Sequence, residues 1–301
     1  MSKISVAVLT YNEEKNIKDC LESVREMADE IVLVDERSTD RTVEIAKKYT
    51  SSITLVDHGT TAGRTHDTMF HKHKQLAIEK CRGDWIFQID ADEKVTPELV
   101  REIKKTVEAP FANGYKVPRK NRMFGKYLEH TGWYPDYQIK LFKKGKGRYP
   151  CKSVHEQIEI DGEIGTLKND LLHDHYKSVE QFIDRMNRYT SNDVEFMIAK
   201  GEGSVVLADA IKFPLDEFLK RFFYWEGYKD GLHGLVLSLL KAADREIVFA
   251  KLWEKQGFTE TADKNFLQAF YFQLKKSAKD FKYWQLYVEQ NPVKKLLGKI
   301  I

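Results

Sequence analysis

The sequence has no long hydrophobic run. A bilayer-spanning helix needs about 20 mostly apolar residues. The longest apolar stretch, Leu232 to Leu240, is broken by His233, Gly234 and Ser238. The opening segment, MSKISVAVLTYNEE, meets polar residues too soon for a secretion signal and reads as a first strand. Cysteine is scarce: Cys20, Cys81 and Cys151 are odd in number and form no CxxC or Cys/His pattern. Buried free thiols in a reducing, cytoplasmic compartment follow. Neither GxGxxG nor a Walker loop is present, so a standard dinucleotide site or P-loop is not expected. No tandem repeat or low-complexity segment appears. The net charge is only +3, and no nucleic-acid motif accompanies it, so no nucleic-acid partner is expected.

What is present suits one sizeable domain plus an appendage. The chain has 301 residues and is 42% hydrophobic. Its basic residues are concentrated. Residues 109–150 carry ten Lys/Arg against Glu129 and Asp136, and residues 251–301 carry ten Lys against five acids. Such surfaces attract phosphates and anionic headgroups.

Strands and helices alternate through the first hundred residues. SVAVLT, EIVLVD, SITLVD and DWIFQID are β-branched or apolar runs. Between them Ile17, Cys20, Leu21 and Val24 repeat at helical spacing. Asn12 is expected to cap that helix and Asp40 the next. Thr96-Pro97-Glu98 is a helix start with cap, proline and early acid. The pattern predicts an α/β fold with a doubly wound sheet, where ligands bind at the carboxyl ends of strands. From Gly114 the runs shorten and glycines multiply, which suggests a mixed sheet extension. From Ser178 the periodicity is helical again.

The fourth strand runs straight into Asp90-Ala91-Asp92-Glu93. Like charges crowded at a strand end make sense if a divalent cation offsets them. Side chains two apart share a side of an extended segment, and hard carboxylate oxygens suit Mg²⁺ or Mn²⁺. Such an ion often also holds a diphosphate. A bare Asp-x-Asp is more often a solvated acidic turn; here the buried strand before it and the capped helix after it favour function.

Five segments in order carry a resemblance: SVAVLTYNEEKNIKDCLESV, IVLVDERSTDRTVEIAKKY, GDWIFQIDADEKVTPEL, YPDYQIKLFKKGKGRYPCKSVHEQI and LLHDHYKSVEQFIDRMNRYT. Over residues 3–192 the chain resembles the family-2 glycosyltransferases, and more loosely the bacterial branch with lipopolysaccharide core β-1,4-glucosyltransferases. The resemblance implies a GT-A-type fold: a catalytic domain over 1–177 and a helical C-terminal region over 178–301. The first divides into a nucleotide-sugar half (about 1–108) and an acceptor half (about 109–177). It implies an inverting, Mn²⁺- or Mg²⁺-dependent transfer from a UDP-hexose to a glycan or lipid-linked acceptor of the cell envelope. Thr10, Tyr11, Asn12, Glu13 and Asp35 match the nucleotide site, with Asp90 and Ala91 beside the ribose or donor sugar. Asp92 matches the direct metal ligand, with Asp90 and His173 completing the shell and His175 as the rival histidine. Glu156, next to His155, matches the general base, and Asp136 is the second choice. Arg64, Lys72 and Lys74 are candidate cations near the diphosphate, or simply a solvated helix face. Glu36-Arg37 stand where the family usually has small residues, and His73-Lys74-Gln75 also depart from its pattern. A catalytically inactive nucleotide-sugar-binding or interaction protein with the same fold is the alternative.

The aromatic and basic stretch over 212–253, with eight aromatics more in 262–290, reads in two ways. It suits a peripheral contact with the cytoplasmic face of a bacterial inner membrane. It equally suits a helical subdomain packed on its own core, with lysine stems lying over apolar surface.

Overall fold

The computed structural model describes residues 2–57, 66–151, 157–259 and 265–289. Its elements are, in order, β1 (Ile4–Thr10), α1 (Ile17–Val24), β2 (Glu30–Asp35), α2 (Thr42–Ala46), β3 (Ser52–Leu55), α3 (His66–Lys80), β4 (Trp85–Asp90), β5 (Glu93–Val95), α4 (Pro97–Glu108) and β6 (Gly114–Met123). There follow β7 (Lys126–Tyr127), β8 (Asp136–Lys143), β9 (Gly147–Arg148), β10 (Glu159–Ile160), β11 (Ile164–Thr166), β12 (Leu171–Tyr176), α5 (Val179–Ala199), α6 (Leu207–Leu219), α7 (Leu232–Lys255) and α8 (Phe266–Val288).

The main sheet runs β3-β2-β1-β4-β8-β6-β12-β5. Its first four strands are mutually parallel, and β8 then pairs antiparallel with both β4 and β6. Alternation along the strands builds a core on each face. Ile4, Val6, Val8, Leu33, Phe87 and Ile89 pack with α1 and α4. Ala7, Leu9, Val32, Val34 and Ile86 pack with α3. Being covered twice is why β1 reads as a continuous apolar run. This is the GT-A-type mixed sheet with flanking helices that the sequence implied, and the C-terminal helices are present.

Two local expectations resolve differently. Thr96 does cap α4, its Oγ1 accepting from Leu99 N at 3.2 Å with Pro97 next in line. Asn12 does not cap α1, which starts at Ile17. It takes a left-handed backbone (φ 55°), which asparagine tolerates, and its Oδ1 accepts from Thr39 N at 2.8 Å. Asn12 thus fastens two loops together, and the chain reaches α1 through a turn closed by Glu13 O.

The chain divides into two compact units. The first is Met1–Arg122 with Pro135–His175, the second Met123–Tyr134 with Tyr176–Ile301. Segment 123–134, which the sequence places with the acceptor half, therefore packs with the helices. The buried Asp230 carboxylate holds it, accepting from His130 N and Thr131 Oγ1, both at 3.0 Å. In this second unit Met123, Leu128, Phe182, Met186 and Leu237 form one core, and Val194, Val205, Val248 and Leu252 another. Gly234 of α7 has to be glycine, because a Cβ there would lie 1.8 Å from Gly227 O. Among the described residues no helix is long and apolar enough to cross a membrane.

Candidate active site

The carboxyl ends of β1 and β2 form a cup. Asp35, at the end of β2, is wholly buried. Its Oδ2 accepts from Thr10 Oγ1 (2.8 Å) and Ser38 Oγ (2.6 Å), and its Oδ1 from Ser38 N (2.7 Å). Ser38 Oγ in turn accepts from Asn12 N at 2.8 Å. A carboxylate has about four lone-pair sites, so this loop fills most of Asp35. Its visible work is to shape the cup, with little capacity left for a nucleotide. Thr10 is buried, and its carbonyl accepts from Glu36 N. Glu13 spends its backbone N–H on Thr42 Oγ1 and accepts from Asn16 Nδ2. Tyr11, the next residue after β1, is 39% exposed.

Two departures from the family pattern meet here. Glu36 Oε1 lies 2.7 Å from His73 Nδ1, and both side chains are buried. Glu36 at the β2 end and His73 on α3 thus compensate each other across the cup. His73→Ala removes that partner from a buried carboxylate, so a loss of about 2 kcal/mol is expected. Urea unfolding checks it; a change below about 0.5 kcal/mol, the size of an ordinary surface substitution, would show the pair to be incidental.

The next residue on α3, Lys74, reaches the end of β4. Its Nζ lies 2.5 Å from Asp90 Oδ1. From β8, Lys140 lies 3.2 Å from Asp90 Oδ2 and 2.7 Å from Glu93 Oε2. From β6, Arg119 lies 3.2 Å from Glu93 and 2.6 Å from Asp136 Oδ2. Glu93 also accepts from Asp90 N at 2.9 Å, fixing the turn. Burial alone would raise the Asp90 carboxyl, but Lys140 and Lys74 outweigh it and hold it well below the usual range. Burial would likewise lower Lys140, and Asp90 with Glu93 reverse that. Asp90 and Lys140 thus favour each other's charged forms.

Of the four clustered carboxylates, only Asp92 has no lysine or arginine ion pair among the described residues. Its Oδ2 faces His173 Nε2 at 3.4 Å. Burial raises its carboxyl, and the His173 contact more than offsets this, leaving it lowered. His173 sits opposite Glu93 in the β12–β5 pairing. Its Nδ1 lies 2.6 Å from Asn121 Oδ1, while Asn121 Nδ2 donates to Asp136 Oδ2 at 3.3 Å. The amide orientation makes Nδ1 a donor, which leaves Nε2 facing Asp92. A ligating histidine must carry a lone pair on that nitrogen, and with Nε2 bare the two facing acceptors would suit a cation between them. Two ligands about 2.1 Å from one ion at a right angle stand about 3 Å apart, near the spacing seen. Asn121 is then the second partner that fixes the histidine.

Asp90, expected to share the ion, is instead engaged by two lysines and Gln88 (3.0 Å). Among the described residues no group of three His/Cys/Asp/Glu side chains converges on one ion position. Asp92 and His173 therefore fit as a two-residue protein share, the rest falling to diphosphate and water, as Mg²⁺ commonly allows. The His175 ring lies beside that of His173, centroids 4.8 Å apart and planes tilted by 54°. Ala91 is buried in the core, so only its backbone can meet a ligand. Asp136 accepts from Arg119 Nη2 and from Gln138 Nε2 (2.7 Å). Burial raises its carboxyl and Arg119 more than reverses this; a carboxylate so held is a poor proton acceptor. Glu156, His155 and Arg64 lie outside the described residues.

Lys140, Arg119, Asn121 and Gln88 escaped sequence reasoning. Their signal is a period of two. Asp136, Gln138 and Lys140 alternate along β8, Arg119 and Asn121 along β6, and Arg119 pairs directly with Asp136. Polar residues at every second position of strands flanking an acidic motif mark one wall of a site.

A family model described as Glycosyl transferase family 2 matches residues 5–159. The lipopolysaccharide core biosynthesis glycosyltransferase LpsC of Rhizobium meliloti is 27% identical over 265 residues, covering 84% of this chain and 93% of that protein. The uncharacterized glycosyltransferase RT0209 of Rickettsia typhi is 28% identical over 271 residues, covering 84% and 88%. Among solved structures, Staphylococcus aureus TarS 1–349 in complex with UDP-GlcNAc is 17% identical, with 85% of this chain and 92% of that one covered and a TM-score of 0.43.

Proposed function

The chain belongs to glycosyl transferase family 2, and from that premise we propose an inverting, metal-dependent hexosyltransferase. It moves a hexose, glucose in the first instance, from a UDP-sugar to a hydroxyl of a bacterial cell-surface glycan or glycolipid precursor. The name of the Rhizobium relative supports the acceptor class. One observation carries the metal reading: Asp92 alone among the clustered carboxylates lacks a lysine or arginine partner among the described residues, and it faces a histidine whose other nitrogen is held by Asn121.

Each residue then has a task. Tyr11 offers its ring at the cup over the β1 and β2 ends, and Asp35 holds that cup in shape. Asp92 and His173 would hold Mn²⁺ or Mg²⁺, which offsets charge growing on the departing UDP. Lys74, Lys140 and Arg119 neutralise Asp90, Glu93 and Asp136, so that the donor's phosphates approach a site that is no longer strongly negative. Glu156 takes the proton of the acceptor hydroxyl as its oxygen bonds to the anomeric carbon and the bond to UDP breaks. The chain works at the cytoplasmic face of the inner membrane, where lipid-linked acceptors are reached.

Calorimetry with UDP and a panel of UDP-sugars, with and without Mn²⁺, tests the donor. Mn²⁺-dependent binding of one UDP-hexose at least tenfold tighter than the others is expected. No heat with any UDP species would overturn the UDP assignment.

A further inference from the structure

The stretch over 212–253 hides much of its aromatic surface. Phe218, Phe222 and Phe223 pack against one another, and Phe281 of α8 closes over them with ring centroids 5.4 Å from Phe223 and 6.4 Å from Phe218. α8 keeps open apolar surface of its own. Leu267 (63% exposed), Tyr271 (64%) and Leu274 (42%) are spaced four and three apart. At that spacing they share one stripe of the helix. Ser277 is buried and Phe281 packs on the phenylalanine cluster, so the packing face lies beside the stripe and not under it. Lys275, Lys279 and Lys282, again at helical spacing, form a row about a quarter-turn round from the stripe. Within α8 the lysines number four, with Lys276, against the single acid Asp280.

We propose that α8 is an interfacial helix for an anionic lipid surface. Its apolar stripe enters the headgroup boundary and its lysine row meets lipid phosphates. An exposed apolar row with cations on one flank is the arrangement that lies in a membrane interface rather than spanning it, and aromatic rings favour that depth. A second copy of the chain is a poorer occupant, since two such faces brought together set lysine rows near each other with one acid apiece. The inference deepens the proposed membrane-borne acceptor by naming the surface that brings the enzyme to it, and it rests on that reading for its purpose only.

Vesicle flotation of the whole chain tests it, using phosphatidylcholine vesicles with and without 30% phosphatidylglycerol. The mixture composition is on the order of natural anionic content. Wild type is expected to float with the anionic vesicles and to bind neutral ones at least tenfold more weakly. K275E/K279E/K282E should lose at least about a hundredfold, at roughly fivefold per lysine removed. L267E/L274E should lose binding even in low salt. UDP binding by calorimetry is expected to be unchanged in both variants, which separates this result from the donor-site assignment and controls for folding. Wild type that stays unbound, or variants that bind as wild type does, would overturn the proposal. So would a wild-type dimer that L267E/L274E dissociates without any vesicle binding, because it would assign the stripe to a second copy.

Discussion

Asp92→Ala is expected to lower glycosyl transfer at least a thousandfold while the protein stays folded. The reason is charge bookkeeping at the end of β4. Asp90 is opposed by Lys74 and Lys140, Glu93 by Lys140 and Arg119, and Asp136 by Arg119. Removing any of these carboxylates unbalances a buried network, so lost activity there would be confounded with lost structure. Asp92 is different. Its only ion-pair contact among the described residues is His173 at 3.4 Å, and its backbone carbonyl, which accepts from Asp174 N at 3.1 Å, survives the substitution. Loss of one carboxylate ligand from a divalent ion that stabilises a leaving group is worth several kcal/mol at the transition state, and tenfold in rate is about 1.4 kcal/mol. Transfer assays in excess Mn²⁺, beside thermal unfolding, decide it. Asp92→Asn should fail nearly as badly, because it keeps the shape and discards the charge. Full activity in either variant would remove Asp92 from the metal site.

How much of this was legible in the sequence depended on how local the signal is. The strands SVAVLT and DWIFQID announce themselves, because parallel strands covered on both faces need unbroken apolar runs. Thr96-Pro97 announces α4 for the same local reason. Asp90 and Asp92 stood out by motif and His173 by resemblance, but which of them the fold would pair with lysines was not legible. Nothing near Asp90 in sequence says that Lys140, fifty residues later, will lie against it. Antiparallel pairing of β8 with β4 makes that contact, and pairing partners are not written in either strand alone. The Glu36–His73 pair repeats the lesson: each looks like an isolated departure, and only the packing of α3 over the β2 end shows that they answer each other. Asn12 misled because one side chain suits both a cap and a left-handed turn. In the C-terminal region composition allowed a membrane contact or a core; the fold packs Phe218, Phe222 and Phe223 against one another and leaves Leu267 and Tyr271 of α8 exposed.

Glu156→Gln is expected to cut kcat by about a thousandfold, within the range for removing a general base, with UDP-sugar affinity unchanged within about twofold. An inverting transfer needs a carboxylate that is ionised yet able to hold a proton as the acceptor attacks. Asp136 meets the first condition too well. Arg119 lies against its Oδ2 through two nitrogens, at 2.6 and 2.9 Å, and Gln138 occupies its Oδ1. Protonating it would abandon a buried guanidinium that burial and Glu93 alone would then govern. Asp136→Asn should therefore act through position: a loss of stability as Arg119 loses a partner, with kcat reduced only about tenfold. The pH profile separates the two roles. If Glu156 is the base, the acid limb of kcat/KM vanishes in Glu156→Gln but persists in Asp136→Asn. A limb displaced well below the usual carboxylate range, abolished in Asp136→Asn while Glu156→Gln still turns over, would exchange the assignments. In that case Arg119 would be a switch that releases Asp136 once the acceptor arrives, and not the clamp that its geometry describes.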